Sequence, residues 1–167
     1  MVRVMATGVF DLIHLGHLHF LQAARDLGDE LVVIVASDAT VRRAKHDPIN
    51  PAEARRKLVE GLKPVDKAYV GGKGDPLAIV EELKPDIIAL GYDQDWDDET
   101  LMEKLKARGI TADIARLSHY DADLDGTRKI ILTIEERLAT GEMYRGNGVN
   151  GGAEHSNPKD SEKEDGQ

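Results

Sequence analysis

A chain of 167 residues is long enough for one domain with a real hydrophobic core and too short for two ordinary ones. Its formal net charge of −9 argues against broad attraction to nucleic acid or to an anionic membrane, so any phosphate-binding site is expected to be local. The absence of cysteine excludes disulfides, thiolate metal sites and a cysteine nucleophile, and no apolar run approaches the ~18 residues of a membrane span. The chain begins with a strand-like run rather than a charged and then apolar leader, and the expectation is a cytoplasmic protein.

Short apolar runs alternate with longer helix-like segments, the pattern of βα units around a parallel sheet. Residues 3–7 read as the first strand. A helix follows over residues 15–27, with Leu18, Leu21 and Ala24 at helical spacing and Gly28 as its C-terminal cap. Residues 31–37 open with a continuous apolar run, as expected for a central strand covered on both faces. Pro51 stands near the first position of a helix over residues 51–58. Strand 67–70, helix 76–83, strand 87–90, helix 98–107 and strand 112–116 come next. A last helix over residues 127–139 carries Ile130, Ile131, Ile134 and Leu138 on one face. The expected fold class is α/β: a Rossmann-like single domain, with a five-stranded parallel sheet flanked by helices, over residues 1–140. Beyond Gly141 the composition turns to Gly, Asn, Ser, Lys and acidic residues, and residues 141–167 are expected to be a disordered tail.

The segment from Thr7 to His17 lies between the first strand and the first helix, where α/β sheets bind ligands. Gly8 lets the chain leave the strand without a Cβ, and Gly16 lets a phosphate approach the backbone at the helix start. His14 and His17 are three residues apart, so a helix beginning near Leu15 places both on one side of its first turn. Their N–H groups would then point where the helix N-terminus already favours an anion. The parts describe a donor-rich cradle for a triphosphate.

Rival motifs fit less well. Gly8 and Gly16 are too far apart for the dinucleotide fingerprint, and no Walker-type sequence occurs. The glycine-rich stretch Gly71, Gly72, Gly74 reads as a connecting loop. A zinc site on His14, His17 and His19 is disfavoured because His19 leaves from a different face of the helix. The expectation is therefore no metal held by protein alone, with Mg²⁺ carried in by the triphosphate.

The residues Gly8, Val9, Phe10 and Asp11 followed by His14, Leu15, Gly16 and His17 resemble the G-x-F-D-x-x-H-x-G-H signature of the cytidylyltransferase-like nucleotidyltransferases. The resemblance runs from the first strand through the final helix and is strongest toward archaeal-type FAD synthases. It draws on Leu27-Gly28-Asp29-Glu30-Leu31, on Lys63-Pro64-Val65-Asp66-Lys67-Ala68, and on the block from Lys84 to Gln94. Glycerol-3-phosphate cytidylyltransferase is similar in the first motif and less so in that last block.

The resemblance implies transfer of AMP from ATP to FMN, with Mg²⁺, by a homodimer. It implies nucleotide contacts from Thr7, Gly8, Val9, Phe10 and Asp11, phosphate contacts from His14, Leu15, Gly16 and His17, and contact of Asp93 with base or ribose. His14, His17, Lys45 and Arg128 would carry the catalytic charge. Lys45 reads equally as part of the solvated basic stretch that begins at Arg42. Arg56 matches an arginine serving a dimer interface or the phosphates. The family's Ser/Thr-rich helix start is here Gly126-Thr127-Arg128, so Thr127 alone keeps a hydroxyl, which would cap the helix and contact a nucleotide phosphate. Tyr120 is the candidate for stacking on a flavin. From the residues themselves the acceptor stays open, with glycerol 3-phosphate or another phosphorylated compound as the alternative substrate and a non-catalytic nucleotide-binding module as the alternative function.

Overall fold

The computed structural model describes residues 1–44, 47–72, 74–94, 96–121 and 126–142. Residues Met1–Thr133 form one compact unit and Ile134–Gln167 a second. Along the chain the elements are β1 (Arg3–Gly8), α1 (Leu15–Arg25), β2 (Glu30–Val35), α2 (Asp38–Ala44), α3 (Ala52–Glu60), β3 (Lys67–Val70), α4 (Ala78–Leu83), β4 (Ile87–Leu90), α5 (Asp98–Ala107), β5 (Asp113–Arg116) and α6 (Thr127–Thr140). The strands form one five-stranded sheet in the order β3-β2-β1-β4-β5, and every pairing is parallel. The expected α/β fold is the observed one.

Alternate residues of β1, β2 and β4 supply the two cores. Val4, Ala6, Val33 and Val35 face Leu21 of α1 and Val59 of α3, while Met5, Val32, Ile34, Ile88 and Leu90 face Val80 of α4 and Leu101 and Leu105 of α5. Residues Leu31 to Val35 of β2 are all buried, as their unbroken apolar run requires. In register, β1 pairs with β2 through Val4 and Leu31 and with β4 through Val4 and Ile87. From β1 the chain winds outward to β2 and β3 and then returns to β4 on the other side. The carboxyl ends of β1 and β4 therefore flank the crevice at which open α/β sheets take ligands.

Three local expectations are corrected. Helix α2 does not show in the pattern, because Val41 is its one buried residue and a single apolar position sets no period. Its start is set by Ser37, whose Oγ accepts from the Thr40 amide at 3.3 Å, so β2 ends before Ser37 rather than including it. Gly28 is not a left-handed helix cap. Helix α1 closes at Asp26, and a Cβ on Gly28 would lie 2.7 Å from both the Val2 carbonyl oxygen and Val4 Cγ2. The glycine is needed for the close passage of the chain past β1.

Described by itself, the second unit continues as helix to Thr140 and stops in a Schellman turn. Gly141 takes φ 70°, its amide donates to Leu138 O at 3.2 Å, and the Glu142 amide donates to Arg137 O at 3.0 Å. The expected tail lies outside the described residues beyond Glu142. Among the described residues no helix is long and apolar enough to cross a membrane.

Candidate active site

Strand β1 hands the chain to a loop of unusual backbone. A Cβ on Gly8 would lie 2.8 Å from Cε2 and Cζ of Phe10, so the glycine makes room for that ring. Phe10 is 2% exposed and packs beside Phe20 and His17, at ring-centroid distances of 6.4 and 5.3 Å. Its side chain thus belongs to the core, which leaves its backbone as the part able to face a nucleotide. Phe10 and Leu12 both have positive φ, 53° and 48°. Each costs roughly 1–3 kcal/mol and persists only where the surroundings hold it.

Those surroundings are polar and mostly buried. Arg55 of α3 has no solvent exposure and donates from Nη1 to Val9 O at 2.6 Å, from Nε to Asn50 O at 2.8 Å and from Nη2 to Asp38 Oδ1 at 2.6 Å. The Asp11 carboxylate accepts from the Ile49 amide at 2.5 Å, the Asn50 amide at 3.1 Å and Asn50 Nδ2 at 3.0 Å. Burial alone would push the Asp11 carboxyl up, but these hydrogen bonds and the Arg55 charge outweigh it and hold the group below its ordinary value. Thr127 Oγ1 closes the loop from the other side by donating to Asp11 O at 2.6 Å.

His14 is the N-cap of α1. Its Nδ1 accepts from the His17 amide at 3.3 Å, and the two imidazoles stack with centroids 3.7 Å apart. His17 Nδ1 is buried with no hydrogen-bond partner among the described residues. Burial first, and the charge of His14 second, lower the His17 pKa to about 3, against a small opposing effect of Asp11. No acidic side chain stands in the first turn of α1. The site combines a helix N-terminus with two imidazoles, groups suited to phosphate oxygen.

The lowered pKa has a direct readout. An unfolded histidine protonates near 6.5 and folded His17 only near 3, so its contribution to stability is complete above pH ~6.5 and is lost as the pH falls toward 3. Two-dimensional NMR of the imidazole resonances is expected to show His17 neutral throughout pH 5–8. A His17 titration midpoint above 6 would contradict this geometry.

Across the crevice, Gln94 Nε2 donates to Thr7 O at 2.6 Å and ties the end of β4 to the end of β1. The loop after β4 is held by Arg116 of β5, which donates to the carbonyl oxygens of Gly91 at 2.9 Å and Gln94 at 3.2 Å. Asp93 lies exposed on that loop. Tyr120 stacks on His19 with centroids 4.9 Å apart. Leu15 and Arg128 are exposed, Val9 and Gly16 half-buried, and Lys45 lies outside the described residues. Among the described residues no group of three or more His, Asp or Glu side chains converges as a metal-ligand set.

Residues 5–145 match the family model for cytidylyltransferase-like proteins. The FAD synthase of Aciduliprofundum boonei is 56% identical over 139 residues, which span 83% of this chain and 93% of that protein. The FAD synthase of Thermoplasma volcanium is 48% identical over 144 residues, 86% of this chain and 100% of that protein. The chain belongs to the cytidylyltransferase-like family. A crystal structure described as the lipopolysaccharide core biosynthesis protein from Thermoplasma volcanium GSS1 shares its fold with a TM-score of 0.72 and 52% identity, over 72% of this chain and 99% of that one.

Within this cytidylyltransferase-like frame one residue, Arg55, was not singled out from sequence, and Thr127, which was, has a structural contact. The arginine that reaches the cradle is Arg55, whereas Arg56 pairs with Glu53 at 2.8 Å and Glu60 at 2.6 Å. Helical spacing holds the signal: Ala52, Arg55 and Val59 are the buried stripe of α3. Thr127, the one hydroxyl left in the family's second motif, uses its proton on Asp11 O and so acts as a tether of the loop.

Proposed function

We propose that this protein is an FAD synthase, transferring AMP from ATP to FMN to give FAD and pyrophosphate. The observation that carries the reading is the stacked His14 and His17 pair at the N-terminus of α1, beside the crevice between β1 and β4. The names and high identities of the relatives support the choice of substrates.

The acceptor supplies its own nucleophile, because a phosphate monoester with a second pKa near ~6 is largely a dianion at neutral pH. An FMN phosphate oxygen forms a bond to the α-phosphorus of ATP. The bond from that phosphorus to the bridging oxygen breaks, and pyrophosphate leaves with the electron pair. No covalent enzyme intermediate is needed. The protein aligns the two phosphates and stabilises the charge that develops on the transferring and departing groups. His14, Gly16 and His17 donate to the triphosphate. Arg128 and Lys45 add positive charge, and Asp93 accepts from a ribose hydroxyl.

The cradle offers nitrogen donors suited to phosphate, whereas Mg²⁺ takes oxygen ligands. A divalent ion brought in with ATP would be held chiefly by the triphosphate's own oxygens and would supply charge neutralisation there. We further propose a homodimer in the cytoplasm as the working form; exposed Ile131 and Leu132 on α6 offer apolar area for such a contact.

The test is an acceptor panel. Purified protein with ATP and Mg²⁺ is incubated with FMN, glycerol 3-phosphate or phosphopantetheine, and product and pyrophosphate are measured. FAD formation from FMN is expected. Product from another acceptor with none from FMN would sink the flavin assignment, and ATP binding without pyrophosphate release would favour an idle nucleotide-binding module.

A further inference from the structure

The triphosphate cradle does not explain why a cytidylyltransferase-like fold would take ATP rather than CTP, since both nucleotides present the same phosphates. Discrimination has to come from the base, and the cheapest reader of a purine against a pyrimidine is a stacking face, because the larger ring covers more of it. The aromatic residues of this chain are few, 4% of the sequence, and those among the described residues differ in place and exposure. Phe10 and Phe20 pack in or against one core and Trp96 against the other, while Tyr120 stacks on His19. Tyr69 lies on β3, at the far edge of the sheet from β4.

Tyr92 is different in place and in exposure. It is the second residue after β4, at the carboxyl end of the strand that flanks the crevice, and 55% of it is exposed. His119, beyond the end of neighbouring β5, braces it with ring centroids 4.3 Å apart and planes inclined at 59°. The loop is not free to drift. Arg116 holds its Gly91 and Gln94 carbonyls, and Gln94 in turn binds Thr7 O on the strand that leads into the cradle. Platform and cradle are thus joined through one short hydrogen-bonded path, as the two ends of one nucleotide require. Strand spacing puts the ends of β4 and β5 roughly 5–10 Å across the sheet from β1, within reach of a nucleoside whose phosphates lie at α1.

We propose that Tyr92, braced by His119, is the stacking platform for the adenine ring of the donor nucleotide and sets the preference for ATP over CTP. This rests on the nucleotidyltransferase reading above and adds to it a specificity-determining residue. Adenine and cytosine differ in stacking area, so loss of the ring weakens the purine more.

The experiment compares wild type, Tyr92→Ala and Tyr92→Phe with ATP and CTP as donors and FMN as acceptor. Tyr92→Ala is expected to lower the ATP-to-CTP ratio of kcat/KM about tenfold, or ~1.4 kcal/mol. The loss should fall on the KM for ATP, with the KM for FMN unchanged within about threefold, and Tyr92→Phe should keep the wild-type ratio because the ring, not the hydroxyl, does the stacking. A ratio within about threefold of wild type in Tyr92→Ala, an effect carried by the KM for FMN, or an equal loss in Tyr92→Phe would overturn the platform. If wild type forms no FAD, the acceptor assignment fails separately, and the ratio of dissociation constants for ATP and CTP measured by calorimetry on the same variants decides the platform.

Discussion

Replacing Arg55 with alanine is expected to destabilise the protein by roughly 3–5 kcal/mol, the usual result of removing one partner from a buried charged network. The guanidinium has no solvent exposure, and its loss leaves the Val9 and Asn50 carbonyls and the Asp38 carboxylate short of a donor around a large void. Arg55→Lys is expected to rescue little, because one ammonium on a flexible stem cannot reproduce a planar fork that meets three acceptors. Chemical denaturation of the three proteins measures this directly. Activity should fall beyond the loss of folded protein, since the left-handed residues Phe10 and Leu12 depend on the same anchors. An Arg55→Ala protein within about 1 kcal/mol of wild type would show that the clamp is not what holds the loop.

His17→Ala is expected to leave folding broadly intact and to lower kcat by about 10²-fold or more, the usual scale for removing a donor aimed at developing charge. The effect should appear in kcat rather than in the KM for FMN, because the donated hydrogen bond strengthens as charge moves onto the departing phosphates. Steady-state kinetics with saturating ATP check it. A His17→Ala enzyme with unchanged kcat would remove the imidazole from the chemistry and leave the backbone amides of α1 as the working donors.

The large-scale plan of the fold was legible because its signals are periodic and local. The unbroken run from Leu31 marks a strand buried on both faces, and α5 occupies the expected residues 98–107. The cradle was legible for a different reason: glycines and histidines at a strand-to-helix junction have a restricted chemical use. What escaped was the support beneath it. Asp11 looks in sequence like a ligand-facing acid, but its carboxylate is turned inward onto Ile49 and Asn50, residues 38 and 39 positions away. Only tertiary structure brings those amides to it. Arg55 sits on the buried stripe of α3, where a charged residue is unexpected, and the adjacent half-buried Arg56 is spent on Glu53 and Glu60. Gly28 shows the same limit, since a helix-ending glycine and a glycine required by a passing strand look alike until β1 is beside it.

These observations converge on one chemical event, the passage of a single phosphorus atom between two substrates. ATP labelled at the α-phosphorus, supplied with FMN and Mg²⁺, follows it most directly. The account predicts that the label appears in FAD while unlabelled pyrophosphate is released in equal amount, and that His17→Ala slows both together. Label recovered in free AMP, or in a product of another acceptor but not in FAD, would contradict it.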